Sequence, residues 1–222
     1  MDKVLSGPVI QQINDVFAGL QEPVQILFFG SKANCEYCAE TQQLLEEVTD
    51  LNNNLELKVY DIQEDQEIAI RFKMTIAPGI VIAAKEGSDV QDLGIQYLGI
   101  PSGHEFSTLV NDILMVSKRE SGLNEKTREF LKNLDKPLEL QVFVTPSCPY
   151  CPRAVLLAHQ MAMENPLMIH AAGVDAMEFP ELANSFNVRG VPQTVINSGA
   201  AVLVGAAPEQ NLLAEIKRAL QN

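Results

Sequence analysis

The sequence has no tryptophan, only three histidines, and few aromatic residues, 6% of 222. Basic side chains are the scarcer charge, 16 Lys and Arg against 29 Asp and Glu, for a net charge of −13. A chain of this sign has few cations to contact phosphates, which argues against nucleic acid as a main partner. The same deficit disfavours an anionic membrane surface. No stretch approaches the roughly 18 consecutive apolar residues of a membrane-spanning helix. The start, Met1-Asp2-Lys3-Val4-Leu5-Ser6-Gly7-Pro8, has no basic segment followed by an apolar one, and a cytoplasmic location is expected. What the chain does have is 46% apolar residues, enough to fill the cores of two domains of roughly 100 residues each.

Cysteine is also scarce, yet its four occurrences are ordered. They form two pairs at one spacing, Cys35-Glu36-Tyr37-Cys38 and Cys148-Pro149-Tyr150-Cys151, 113 positions apart. An apolar run precedes each pair, Ile26-Leu27-Phe28-Phe29 and Leu140-Gln141-Val142-Phe143-Val144. Asp61 and Asp175, Phe72 and Phe186, and Pro78 and Pro192 recur at an offset of 114. Landmarks that keep register to within one residue mark an internal duplication. In a cytosolic chain such cysteines are expected to be catalytic or metal-binding rather than structural.

Each half reads as strand, helix, strand, helix, two strands and a helix. In the first half the strands are placed at 24–30, 55–61, 80–84 and 93–99, with helices over 36–51, 66–72 and 101–116. In the second, strands are placed at 139–145, 168–175, 194–197 and 201–204, with helices over 149–163, 179–186 and 209–220. Leu44, Leu45, Val48 and Leu51 recur on one face of the first active-site helix. The second active-site helix is apolar nearly all round, the pattern of a helix covered on both sides. Residues 1–20 carry an extra helix with Val9, Ile13 and Phe17 on one face. The polar stretch 118–137 is the expected boundary, with Asn124 capping a short linking helix. The expected fold is α/β: two tandem thioredoxin-like domains, 1–120 and 121–222, each a central mixed sheet flanked by helices.

A strand that turns through Cys-x-x-Cys into a helix puts the first cysteine at the helix N-terminus. Free N–H groups and the helix dipole stabilise a thiolate there, and a lowered pKa makes that sulfur nucleophilic at neutral pH. The second cysteine, one turn inward, can attack a mixed disulfide and release the partner. Ile76-Ala77-Pro78 and Val191-Pro192 follow at matching distances, each just before a strand. A cis proline there brings its loop against the cysteine pair and leaves the backbone of Ala77 or Val191 to bond an extended substrate.

Taken together, strand, Cys-x-x-Cys, helix and a downstream proline before a hairpin resemble the thioredoxin and glutaredoxin families. Thr145 and Cys148-Pro149-Tyr150-Cys151 carry the glutaredoxin dipeptide. The tandem is similar to the glutaredoxin-like protein disulfide oxidoreductases over about residues 8–220. That resemblance implies two redox-active thioredoxin folds, no cofactor beyond the redox disulfides, and a thioredoxin-reductase-like flavoprotein as electron donor. One departure is visible: the buried Asp that thioredoxins carry six residues before the first cysteine is replaced by Phe29 and Val142.

The expected chemistry is dithiol–disulfide exchange with protein disulfides, Cys148 attacking and Cys151 resolving, with Cys35 and Cys38 in parallel or as a relay. Pro192, Val191, Pro78, Ala77, Tyr150 and Pro149 border the groove expected to bind substrate by strand addition. Glu36 opposes a thiolate at Cys35, whereas Pro149 is neutral, so Cys148 is expected to be the more acidic thiol. The alternative function is a relay module that passes electrons from a flavin reductase to a peroxiredoxin. Zinc is disfavoured, because paired knuckles normally lie roughly 15–20 residues apart and 110 positions separate Cys38 from Cys148. An iron–sulfur cluster and inert thiols are the weaker remaining readings. No histidine tracks the duplication, so a Cys–His hydrolase is not supported.

Overall fold

The computed structural model describes residues 3–33 and 35–221. The chain separates into two compact units. One takes Met1–Asp92, Tyr97–Ile100 and Val110–Glu120; the other takes Leu93–Gln96, Pro101–Leu109 and Ser121–Asn222. The second unit therefore includes two short segments from the N-terminal half. Gly103 is the clearest reason: at φ +58° it lets the chain pass so close to Pro146 that a Cβ would stand 2.3 Å from the Pro146 carbonyl oxygen.

The first unit contains α1 (Gly7–Phe17), β1 (Val24–Gly30), α2 (Cys38–Thr49), β2 (Leu55–Asp61), α3 (Gln66–Arg71) and β3 (Gly79–Glu86), and shares β4 (Asp89–Leu98) and α4 (Glu105–Lys118) with the second. Strand β1 is fully buried and central, parallel to β2 and antiparallel to β3. Apart from Gln25, β1 is apolar, as a strand buried on both faces calls for, whereas its parallel partner β2 is only partly buried. Leu27, Phe29, Ala69, Phe72, Met74, Val81 and Ala83 form a core under Tyr60, Ile62 and Ile68. Phe29 stacks on Tyr60 at 5.4 Å and meets Phe72 at 6.3 Å. Helix α1 buries Ile13 and Phe17 of its expected face.

The second unit contains α5 (Glu125–Lys132), β5 (Leu138–Val144), α6 (Cys151–Glu164), β6 (Ile169–Asp175), α7 (Pro180–Ser185), β7 (Gln193–Ile196), β8 (Ala201–Val204) and α8 (Glu209–Ala219). Its sheet runs β6-β5-β7-β8. Strand β5 is parallel to β6, and β7 is antiparallel to both β5 and β8. Helix α6 buries Cys151, Ala154, Val155, Ala158, His159, Met161 and Ala162, the many-sided burial its composition calls for. Each unit is thus a mixed sheet flanked by helices, and the two form a tandem of thioredoxin-like folds.

The strand pairings confirm the duplication. Gly30 pairs with Asp61 and Val144 with Asp175. Helices α3 and α7 both end on a residue at φ 52°, Lys73 and Asn187, whose following N–H returns to the helix, Met74 to Ala69 and Val188 to Ala183. The expected Asn124 cap takes a different form. Its side chain makes no cap bond; instead Glu209 of α8 accepts from the Asn124 N–H at 3.2 Å and from its Nδ2 at 2.9 Å. A carboxylate from a distant helix serves the α5 N-terminus, which a local reading cannot foresee.

Candidate active sites

Each cysteine pair lies where the central parallel strand gives way to a helix. Strand β1 ends at Gly30 and α2 starts at Cys38; β5 ends at Val144 and α6 starts at Cys151. The second cysteine is therefore the first helical residue. The first cysteine stands in the turn ahead of it, slightly outside the helix start expected from the sequence. In both pairs the Cα atoms are 5.5 Å apart and the sulfurs are joined as a disulfide. The loop from strand to cysteine is one residue shorter in the second unit, which is why the offset changes from 114 to 113.

The prolines take up the expected form: Ala77-Pro78 and Val191-Pro192 are both cis. Phe29 pairs with Gly79 and Phe143 with Gln193, so each proline falls at the sheet end from which its cysteine loop departs. The Pro78 carbonyl accepts from Gly99 at 2.9 Å and the Pro192 carbonyl from Gly205 at 2.8 Å. Both glycines lie at positive φ, 101° and 87°, so each following strand is pinned by the same device. Pro78 and Pro192 are buried, Ala77 and Val191 are half-buried, and Pro149 is exposed. Tyr150 is 71% exposed and Tyr37 39%.

The two sites differ in burial. Cys35 and Cys38 are half-buried, whereas Cys148 is 8% exposed and Cys151 fully buried. At the first site an open cavity of about 520 Å³ is lined by Gly30, Lys32, Cys35, Cys38, Val59, Tyr60, Asp61, Glu64 and Asp65, among others. The Ser31 N–H points to Cys38 Sγ at 3.3 Å, a donor suited to a thiolate there. Gly30 keeps this flank open: a Cβ on it would stand 3.0 Å from the Phe28 ring and 3.6 Å from Cys38 Sγ.

Asp61, a strand end whose carboxyl could also tune a nearby thiol, lines this cavity. It accepts from the backbone N–H groups of Gln63 at 2.9 Å, Lys32 at 3.0 Å and Glu64 at 3.1 Å. These bonds, that of Gln63 foremost, hold its carboxyl below the usual range. The Lys32 ammonium reaches Glu64 at 2.5 Å. Asp175 occupies the same register but behaves oppositely. It is 6% exposed, and burial pushes its pKa up against the opposing N–H groups of Met177 and Glu178. The residue matching Lys32 is Pro146, which has neither an N–H nor a charge to give. Glu105, in the first turn of α4, is a second buried acid near this loop, 4% exposed. Thr108 donates to its Oε2 at 3.1 Å, and its neighbour His104 donates its N–H to the Pro146 carbonyl at 3.0 Å. Nothing in the local sequence singles out Glu105, because its burial depends on distant chain. Phe29 and Val142, six residues before the first cysteine of each pair, are fully buried.

A disulfide at a strand-to-helix turn, with a cis proline at the same sheet end and present twice, defines a tandem thioredoxin-fold thiol–disulfide oxidoreductase. A thioredoxin-domain family model matches residues 138–218. The crystal structure of a protein disulfide oxidoreductase from Aeropyrum pernix K1 superposes with a TM-score of 0.85 and 34% identity, covering 97% of this chain and 94% of that one. The chain belongs to the protein disulfide oxidoreductase family. The N-terminal N/C domain of the alkyl hydroperoxide reductase AhpF from Enterococcus faecalis V583 superposes with a TM-score of 0.86 at 26% identity, covering 96% of this chain and 99% of that one. The AhpF component of the alkyl hydroperoxide reductase of Staphylococcus aureus Mu50 is 26% identical over 194 residues, 87% of this chain. The chain spans about a third of the length of such curated relatives, 34% in that case.

Among the described residues, no helix is long and apolar enough to cross a membrane, and no group of three or more His, Cys, Asp or Glu is placed to hold a metal ion.

Proposed function

We propose that the protein reduces, forms or reshuffles disulfides in other proteins, using both cysteine pairs. The carrying observation is the repetition: two disulfides, each at a helix start and each matched by a cis proline at the same sheet end. In the reducing direction, the Cys148 thiolate attacks one sulfur of a substrate disulfide. A Cys148–substrate bond forms, the substrate S–S bond breaks, and the departing thiolate takes a proton from water. Cys151 then loses its proton and attacks Cys148 Sγ. The Cys148–Cys151 bond forms, the mixed disulfide breaks, and the second substrate thiolate leaves and is protonated. The substrate gains two electrons and two protons, and the pair is left oxidised. A thioredoxin-reductase-like flavoprotein returns the two electrons. Cys35 and Cys38 carry out the same exchange or relay electrons. Extended substrate lies along Val191-Pro192 or Ala77-Pro78, against Pro149 and Tyr150 at the second site. The protein works in the cytoplasm.

Likeness to AhpF domains over nearly the whole chain supports a second reading, in which the pairs relay electrons from a flavin reductase to a single peroxiredoxin. Turnover separates the two. The general oxidoreductase reduces unrelated protein disulfides and refolds a scrambled one, with turnover reduced when Cys148 and Cys151 become Ser. The relay reading expects turnover with a peroxiredoxin disulfide and negligible turnover with the others. Unchanged activity after all four cysteines become Ser removes both readings.

A further inference from the structure

The duplication allows the surroundings of the two disulfides to be compared position by position, and the changes beside the sulfurs share a direction. Glu36, between the first pair, is matched by Pro149. Glu40, in the first turn of α2, is matched by Arg153 in α6. Asp65 is matched by Phe179, and Thr75, ahead of the cis proline, by Arg189. Lys32, Arg71 and Lys73, matched by Pro146, Ser185 and Asn187, run the other way, but the Lys32 ammonium is engaged by Glu64 at 2.5 Å and Arg71 is turned to the Val90 carbonyl and the Phe72 ring. Helix α2 carries three glutamates and no basic residue, whereas α6 carries one arginine and one glutamate among its charged residues. Asp61, Glu64 and Asp65 line the cavity that opens beside Cys35 and Cys38, and Glu36 and Glu40 are exposed next to it. Asp61 is kept ionised by three backbone N–H groups, so its charge is a fixed part of the cleft.

We propose that the first site selects partner proteins whose disulfide or dithiol is flanked by lysine or arginine, which enter the acidic cleft beside Cys35–Cys38, while the second site does not share that preference. The inference rests on the oxidoreductase reading above and assigns a substrate class to one of its two sites. Both bodies must approach until two sulfurs touch, so like charges at the rim slow the encounter and opposite charges speed it. At the second site Glu178 matches Glu64, but Arg153 and Arg189 offset its charge and Tyr150 and Met177 are exposed, 71% and 69%, so the acidic excess of the first site is not repeated. One chain can in this way serve two partners without competition, for example a basic electron donor at one site and general substrates at the other.

The test uses the full chain with one pair disabled at a time, Cys148→Ser with Cys151→Ser, and separately Cys35→Ser with Cys38→Ser. Each reduced variant is mixed with two disulfide-linked peptides that differ only in two lysines or two glutamates beside the cysteine. At low salt the first site is expected to reduce the lysine peptide about tenfold faster than the glutamate peptide. That ratio falls towards one at about 1 M salt, where screening is nearly complete. Adding Glu36→Gln and Glu40→Gln lowers the ratio, which is insensitive to any change in the intrinsic reactivity of Cys35. The second site gives a ratio near or below one. Exchange at both sites with no charge preference at the first, or with the same preference at both, overturns this inference and leaves the oxidoreductase reading standing. No exchange with either peptide at either site removes that reading and the inference with it.

Discussion

Glu36→Gln at the first site is the sharpest single perturbation of thiol chemistry. Glu36 is exposed and directly follows Cys35, so its carboxylate acts on the sulfur through water. At a separation of about 7 Å, a unit charge contributes about 0.6 kcal/mol at a dielectric of about 80 and about 1.2 kcal/mol at about 40. At 1.36 kcal/mol per pKa unit, removing it lowers the Cys35 pKa by about 0.4–0.9. The thiolate fraction at neutral pH then rises about three- to sevenfold while the thiol still predominates. Burial acts in the opposite sense at the other site, since Cys148 is only 8% exposed and desolvation raises a thiol pKa. There, however, the carboxylate is absent and Arg153 stands where α2 has Glu40, so Cys148 is expected to titrate below Cys35. The assay is the pH dependence of alkylation of each first cysteine, read by mass spectrometry on reduced chains with the other pair replaced by Ser. The Glu36→Gln shift is expected at low salt and is largely lost at about 1 M salt, where the Debye length is about 3 Å. An upward shift, no shift, or one that salt leaves untouched refutes the electrostatic account.

Two further predictions concern stability. The pKa of Asp175 is raised by burial, so the folded protein binds its proton more readily than the unfolded chain does. The ionised carboxylate therefore destabilises the fold above its raised pKa, and that penalty disappears as pH falls through it towards the ordinary carboxylate range. Asp175→Asn keeps an oxygen for the Met177 N–H; it is expected to raise the denaturant midpoint at pH 7 and to lose that advantage in acid, and equal destabilisation at both pH values contradicts the desolvation account. Reduction of either disulfide opens a four-residue ring, for which loop entropy allows about 2 kcal/mol; urea unfolding of oxidised and reduced single-pair variants measures this, and a loss beyond about 4 kcal/mol per pair requires a packing change instead.

Most of the architecture was legible because the chain states it twice. Strands β1, β2 and β8 fall on the residues expected, and the others shift by a few positions at their ends. The cysteine spacing, the preceding apolar runs and the matched prolines are sequence signals, and they pointed to the two disulfides and the two cis peptide bonds. The αL ends of α3 and α7 were half visible, since Asn187 favours that conformation and Lys73 does not. The starts of the two active-site helices were misplaced by two residues, because whether the first cysteine joins the helix or the turn before it depends on bonding that a Cys-x-x-Cys pattern does not specify.

The amino-acid order alone determined the duplication, the thioredoxin-like class, the four sulfurs and the proline partners, because each is a matter of residue type and spacing along the chain, repeated in both halves. Tertiary structure decided what surrounds those sulfurs. It separated Asp61, bonded by the Lys32 N–H, from Asp175, which is buried and pushed towards its neutral form. It buried Glu105 beside the second loop and let Glu209 bind the start of a helix 85 residues earlier. These outcomes turn on desolvation and on donors supplied by distant parts of the chain, and neither is a property of any short run of residues.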